Sequence, residues 1–138
     1  MSGVLLDTHA LLWYAEAGGR PLSAQVLETL EAARTERSLF FSSISVWEIG
    51  MLVAKKRINL SQPVDEWLRR VIALTGIREL PLERTIALES TRLPPECHGD
   101  PADRFLIASA RIHDMQLVTA DSKILAYGHA GHLRILSI

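Results

Sequence analysis

The stretch DPADRFLIASA, residues 100–110, predicts a buried helix whose first turn carries two acids. Asp100 suits the N-cap position, Pro101 suits the first helical position, and Asp103 follows three residues after the cap. Both acids have ordinary structural uses, because an N-cap Asp binds orphan backbone N–H groups and a first-turn acid complements the helix dipole. A further role for them depends on whether other acids of the chain converge on the same place.

The length and composition predict one domain, residues 1–138, that buries a core without disulfide bonds. Cys97 is the single cysteine, which excludes an internal disulfide and a multi-cysteine zinc site and suits a reducing cytoplasm. No apolar run approaches the roughly 18 residues of a membrane span. The net charge of −1 gives no overall field for holding nucleic acid. We therefore expect a soluble, cytoplasmic protein with no membrane partner.

Short apolar runs alternate with helical patterns along the chain. Strands are predicted at residues 4–6, 39–41, 77–80, 115–119 and 133–138, and helices at 8–15, 21–37, 46–54, 63–74, 82–93, 101–113 and 121–127. Each return to the sheet passes through a helix, and such crossovers join parallel strands. The fold class is therefore α/β, with a central, mostly parallel sheet flanked by helices.

Four acids are expected at the carboxyl ends of these strands, where such sheets gather ligands. Asp7 and Asp121 follow strands, Glu48 lies in the helix after a strand, and Asp103 opens the helix before one. Capping remains an alternative for each acid, and for Glu48 it takes the form of a capping box with Ser45. Converging carboxylates repel one another unless a cation binds them, and such oxygen ligands suit Mg²⁺ or Mn²⁺. The sequence thus predicts a divalent-metal pocket and metal-assisted phosphodiester hydrolysis.

The segments LLDTH (5–9), SVWEI (45–49), DPADR (100–104) and LVTAD (117–121) follow one another in this order. They resemble the four sequence blocks of PIN-domain ribonucleases, most closely those of the VapC toxins, and the resemblance covers essentially the whole chain. It implies a single PIN-like domain with Mg²⁺- or Mn²⁺-dependent endonuclease activity on RNA. It also implies a homodimeric toxin that a small VapB-like antitoxin inhibits by forming a hetero-oligomer with it.

The resemblance also assigns residues by position. Asp7 matches the metal ligand after the first strand, Glu48 the helix carboxylate, Asp103 the third acid and Asp121 the fourth. These four are therefore the predicted catalytic and metal-binding residues. Asp100 is expected mainly to cap its helix, with a supporting polar role.

Three further residues have supporting roles by the same resemblance. Thr119 matches a small hydroxyl residue that positions the site, and Thr8 and Arg104 are assigned as further supporting residues. Ala102 replaces the Phe that is common in the DPFDR form of the third block, which affects packing more than chemistry.

Other functional classes lack their motifs or have weaker ones. Neither the G-x-S-x-G elbow of serine hydrolases nor the glycine pattern of a nucleotide-binding loop is present. His129 and His132 could pair as zinc ligands on one helix face, although Gly128 and Gly131 favour a loop there. His98 is expected to be an ordinary polar residue. The competing hypothesis is a catalytically idle PIN-like module that binds a protein partner or RNA. The presence of all four acids argues against it.

Overall fold

A computed structural model describes residues 3–16, 21–95 and 97–138 of the chain. Strands and helices alternate in these residues, as the sequence predicts. The strands are β1 (Val4–Leu6), β2 (Leu39–Ser42), β3 (Arg78–Leu80), β4 (Gln116–Thr119) and β5 (Ile135–Ser137). The helices are α1 (Thr8–Ala15), α2 (Ala24–Thr35), α3 (Ser43–Ala54), α4 (Val64–Thr75), α5 (Arg84–Ser90), α6 (Pro101–Ile112) and α7 (Ser122–His129). Gly18 and Gly19, which follow the predicted first helix in the sequence, lie outside the described residues.

The five strands form one sheet in the order β3-β2-β1-β4-β5. Every strand pair in the described residues is parallel, and Leu5 of the central strand lies between Phe40 and Leu117 of its neighbours. The chain builds the sheet to one side of β1 through β2 and β3, and then to the other side through β4 and β5. The strand order therefore reverses between β1 and β4, which is the point where open α/β sheets bind ligands. The predicted α/β class is confirmed.

Helices cover both faces of the sheet, and alternate side chains of the three central strands, β2, β1 and β4, enter opposite cores. Leu6 and Phe41 belong to the core on the side of α1 to α4, where Trp67 of α4 is buried. Leu5 and Leu117 belong to the other core, against α6 and α7. Apolar side chains of β1 thus face both layers, as expected for a parallel sheet that is buried on both sides. In the described residues, no helix is both long and apolar enough to cross a membrane.

The structure corrects two predicted helix boundaries that bear on the site. Helix α3 begins at Ser43 rather than near residue 46, because the Ser42 hydroxyl accepts the Ile44 N–H at 3.1 Å. Helix α7 continues through Gly128 to His129, although that glycine was expected to favour a loop. A side chain at Gly128 would place its Cβ 2.6 Å from Ile135 of β5, so glycine is required there by packing rather than by a turn.

Candidate active site

A pocket of about 430 Å³ lies at the carboxyl ends of β1 and β4, where the strand order reverses. Five acids line it: Asp7, Glu48, Asp100, Asp103 and Asp121. All four acids predicted as site residues therefore converge, together with Asp100. Thr8, His9 and Trp13 of α1 also line the pocket, and no Lys or Arg of the described residues does.

Asp7 follows β1 directly and is the N-cap of α1. Its Oδ1 accepts the Ala10 N–H at 2.8 Å, and its own N–H donates to the Val118 carbonyl of β4 at 3.0 Å. The side chain is only 7% exposed, and this burial raises the pKa of the carboxyl, with Asp103 adding repulsion and hydrogen bonds from Thr119 and Ala10 opposing the shift. The backbone thus holds a carboxylate whose ionised form is costly unless a cation compensates it.

Glu48 lies in the second turn of α3 and contacts α1. Thr8 donates its hydroxyl hydrogen to Glu48 Oε1 at 2.5 Å, so the Ser45 hydroxyl, 2.9 Å from the Thr8 oxygen, is the donor in that second contact. The capping-box hypothesis is wrong, because Ser42 caps the helix and Ser45 lies inside it. Partial burial raises the pKa of Glu48, and the charges of Asp103 and Asp100 raise it further, while the bond from Thr8 lowers it.

The two aspartates of α6 differ in their contacts. Asp100 is the N-cap, as predicted, and its Oδ1 accepts the Asp103 N–H at 3.0 Å. Asp103 is half-buried, and its Oδ2 lies 2.8 Å from His98 Nε2. Burial raises the pKa of Asp103, the charges of Asp100 and Asp121 add to the shift, and the hydrogen bond with His98 opposes it.

Asp121 is exposed at the start of α7. Its Oδ1 accepts the N–H groups of Lys123 and Ile124, and its own N–H donates to Thr119 Oγ1 at 3.0 Å. The Thr119 side chain also hydrogen-bonds to Asp7, so it connects Asp121 with Asp7. Asp7, Asp100 and Asp121 all cap helices and line the pocket, so capping and a ligand role are not alternatives here.

His98 is a candidate site residue that the sequence did not predict. Ligand atoms of His98, Asp103 and Asp121 lie within 4.8 Å of one another, a spacing that could hold a metal ion. The only sequence signal was a histidine five residues before Asp103 in the loop that enters α6. His129 and His132 join no group of potential metal ligands in the described residues, and the His132 ring packs on Tyr127 instead.

Arg104 lies beside the site but does not line the pocket. Its guanidinium donates to the carbonyl oxygens of Ser90, Cys97 and His98 at 2.9 to 3.3 Å. Arg104 therefore fixes the loop that carries His98 against α6. Its hydrogen bonds are therefore with the loop and the end of α5, and its predicted supporting role stays a prediction.

The donor set fits a divalent cation. Carboxylate oxygens, with one imidazole nitrogen at the side, are ligands that suit Mg²⁺ or Mn²⁺. The pKa values of Asp7, Glu48 and Asp103 are all raised by burial, and each of these acids also repels another acid of the pocket. A bound cation would remove that repulsion, which no Lys or Arg among the described lining residues offsets and which His9 opposes only in part at Asp7 and Glu48. The pocket is therefore a candidate divalent-metal site.

Comparisons with known proteins define the class. The family model of the PIN domain matches residues 4–130, and the chain belongs to that family.

Its relatives include ribonuclease VapC22 of Mycobacterium tuberculosis (strain ATCC 25618 / H37Rv), which is 33% identical over 129 residues, 94% of this chain and 95% of the relative. The fold also matches a chain of the DNA-bound VapBC structure from Salmonella typhimurium, with a TM-score of 0.67, 16% identity and coverage of 99% and 98% of the two chains. A chain of VapBC2 from Rickettsia felis, bound to a promoter DNA fragment, matches with a TM-score of 0.68, 15% identity and 97% coverage of each chain. At these identities the solved structures support the fold alone.

Proposed function

We propose that this chain is the toxin of a VapBC-type toxin–antitoxin system. It acts in the cytoplasm as a Mg²⁺- or Mn²⁺-dependent endoribonuclease that hydrolyses RNA phosphodiester bonds. The observation that carries the proposal is the convergence of Asp7, Glu48, Asp103 and Asp121 in one pocket of a PIN domain. The similarity to ribonuclease VapC22 over nearly the whole of both chains supports the same activity.

The four acids have complementary tasks in this proposal. Asp7, Asp103 and Asp121 hold the metal, each positioned by a backbone or side-chain hydrogen bond of its own. A bound divalent cation supplies Lewis-acid polarisation of the phosphate and lowers the pKa of the attacking water. Glu48, oriented through Oε1 by Thr8, helps to hold the cation and accepts a proton from that water.

Protein partners belong to the same proposal. We infer that the chain forms a homodimer and binds a VapB-like antitoxin as a hetero-oligomer. Large apolar side chains are exposed on α3 and α4, including Trp47, which is 59% exposed, and Leu74, which is 72% exposed. Trp47 and Met51, one turn apart on α3, are both exposed, and adjoining exposed apolar side chains are typical of surfaces that a protein partner covers.

The decisive experiment is cleavage of RNA by the purified chain with Mg²⁺ or Mn²⁺ and, in parallel, with EDTA. Asp7→Asn and Asp103→Asn keep the size of each side chain but remove its charge, and we expect both to abolish cleavage. Glu28→Gln, an exposed acid on α2 away from the pocket, is the matched control and should cleave like the wild type. Equal cleavage by the wild type and both aspartate variants would overturn the assignment, and a wild type that binds RNA without cutting it would indicate an idle module.

The Asp100→Asn variant tests whether Asp100 has a different role from Asp103 on α6. Asparagine is as good an N-cap as aspartate, so the variant should keep the helix and most of the activity. Loss of activity equal to that of Asp103→Asn would instead place Asp100 among the metal ligands.

A further inference from the structure

Helix α1 presents two rings to the acidic pocket. His9 and Trp13 are one helical turn apart and both line it, with His9 exposed and Trp13 half-buried. Their ring centroids lie 5.8 Å apart, and the ring planes meet at 50°. Both rings are on the helix that Asp7 caps, so the pocket has an aromatic side next to its acidic one.

The charges of the pocket limit how an RNA strand could be held there. Proteins usually gain affinity for nucleic acid from Lys and Arg side chains that neutralise phosphates. No Lys or Arg among the described residues lines this pocket, and the net charge of the chain is −1. A cation bound by the acids could compensate the phosphate at the reacting bond but not the flanking nucleotides. An unstacked base offers an uncharged face that a pocket can bind strongly, and aromatic side chains bind it by stacking.

We propose that Trp13 is a stacking platform for an unpaired RNA base adjacent to the phosphodiester that is cut, with His9 as the side wall of that subsite. This inference rests on the proposed nuclease function and specifies its substrate as RNA that is single-stranded at the cut. Two rings at 50° cannot both lie parallel to one base, so the larger indole provides the stacking face. Trp13 lies six residues beyond Asp7, or about 9 Å along the helix axis, which a neighbouring nucleotide can span.

The inference predicts which RNAs are cut. A base inside a duplex is stacked on its neighbours and cannot lie on the indole without leaving the helix. We therefore expect cleavage in loops and single strands, and no cleavage when a complementary strand covers the same site.

The test uses an RNA that the wild type cuts, together with copies that carry an abasic nucleotide on either side of the cut. Trp13→Ala should raise KM by roughly 5- to 100-fold, the range expected for loss of one stacked base, with little change in kcat. Trp13→Phe should restore most of the affinity. Leu88→Ala removes a large apolar side chain that is 47% exposed on α5, outside the pocket, and should behave like the wild type. At one of the two positions, the abasic nucleotide should raise the KM of the wild type. The wild type and Trp13→Ala should then have similar KM values for that RNA.

Two outcomes would overturn the stacking inference alone. One is a wild type that cuts RNA with no KM difference from Trp13→Ala. The other is an abasic penalty of equal size for both proteins at both positions. Absence of metal-dependent cleavage by any variant would instead contradict the proposed function.

A binding assay tests the platform without catalysis. RNA that carries 2-aminopurine next to the cut should lose fluorescence on binding to the Asp103→Asn protein, and should keep it when Trp13→Ala is added to that background. Unchanged quenching in the double variant would refute the platform.

Discussion

Replacing Asp103 by asparagine should stabilise the metal-free protein. Asp103 is half-buried beside Asp100 and Asp121, and burial and these two charges raise the pKa of its carboxyl. A raised pKa means that the folded state disfavours the ionised form relative to the unfolded chain. Asparagine has nearly the same shape, keeps hydrogen-bonding groups for His98, and carries no charge. The variant that is expected to lose activity should therefore gain free energy of unfolding.

The size of the effect follows from the distances in the site. Oxygen atoms of Asp103 and Asp121 lie within 4.8 Å. Two unit charges at that separation repel by about 3.5 kcal/mol at an effective dielectric constant near 20, and by about 0.9 kcal/mol in bulk water. Asp121 is exposed, so the lower part of this range applies. The weakened bond with His98 offsets part of the gain. We expect a net gain on the order of 1 kcal/mol, or a rise in Tm of about 3–5 °C for a domain of this size.

The assay is thermal or urea unfolding in EDTA as a function of pH. Because the folded pKa of Asp103 is raised, its contribution to stability is fully present below the ordinary value of 3.8 and is lost as the pH rises through the folded pKa. The advantage of the variant should therefore be absent in acid and complete at neutral pH. Glu28→Gln should change the free energy of unfolding by less than about 0.5 kcal/mol at both acid and neutral pH.

Added Mn²⁺ should reverse the order of stability. The wild type gains more than the variant because a ligand that binds the folded state more tightly stabilises it more, as the logarithm of the ratio of ligand concentration to Kd. A variant that is less stable than the wild type in EDTA at neutral pH would refute the reasoning, since the contact with His98 would then outweigh the repulsion.

Two further predictions concern residues that position the site. Thr8→Val leaves the buried Ser45 hydroxyl without its acceptor and removes the donor to Glu48. We expect the free energy of unfolding in urea to fall by about 1–2 kcal/mol and the acid limb of the pH profile of cleavage to move to higher pH. Thr8→Ser should restore both. An unshifted acid limb would show that Thr8 does not tune Glu48. Arg104→Gln frees carbonyl groups of the loop before α6, so amide hydrogen exchange around His98 should become faster and Mn²⁺ affinity lower. Unchanged hydrogen exchange around His98 would contradict the inference that Arg104 holds this loop in place.

The sequence predicts the order of strands and helices because their signals are local. Val4–Leu6 is a short apolar run that ends at an acid, and the structure has β1 at those residues. The start of α3 was mispredicted because Ser42, Ser43 and Ser45 are equally good caps by residue type. Only the course of β2 into the helix decides that Ser42 has the capping geometry.

The glycine at 128 shows a different limit of the sequence. A glycine near a helix end usually indicates a stop, since it loses more conformational entropy in a helix than other residues do. Here the helix continues through it to His129, because β5 approaches so closely that Ile135 leaves no room for a Cβ. That requirement comes from tertiary packing between two segments, and no local pattern of residues contains it.

The site was predictable where it depends on strand ends and not where it depends on a loop. Asp7 and Asp121 had to approach each other once β1 and β4 were neighbours in a parallel sheet. The contact between His98 and Asp103 requires in addition that the loop before α6 folds back, and Arg104 holds it there through backbone carbonyl groups. Carbonyl groups are present at every residue, so the sequence cannot indicate which ones an arginine will bind.

Helix capping positions three of the acids of this pocket through the backbone. Asp7, Asp100 and Asp121 each accept backbone N–H groups at the start of a helix, and the positive end of each helix dipole favours the negative charge there. Three helices that start at the same edge of the sheet therefore hold their carboxylates near one another, which the charges alone would oppose. The cost of gathering these acids is therefore the electrostatic repulsion among their charges, and a bound cation would remove it.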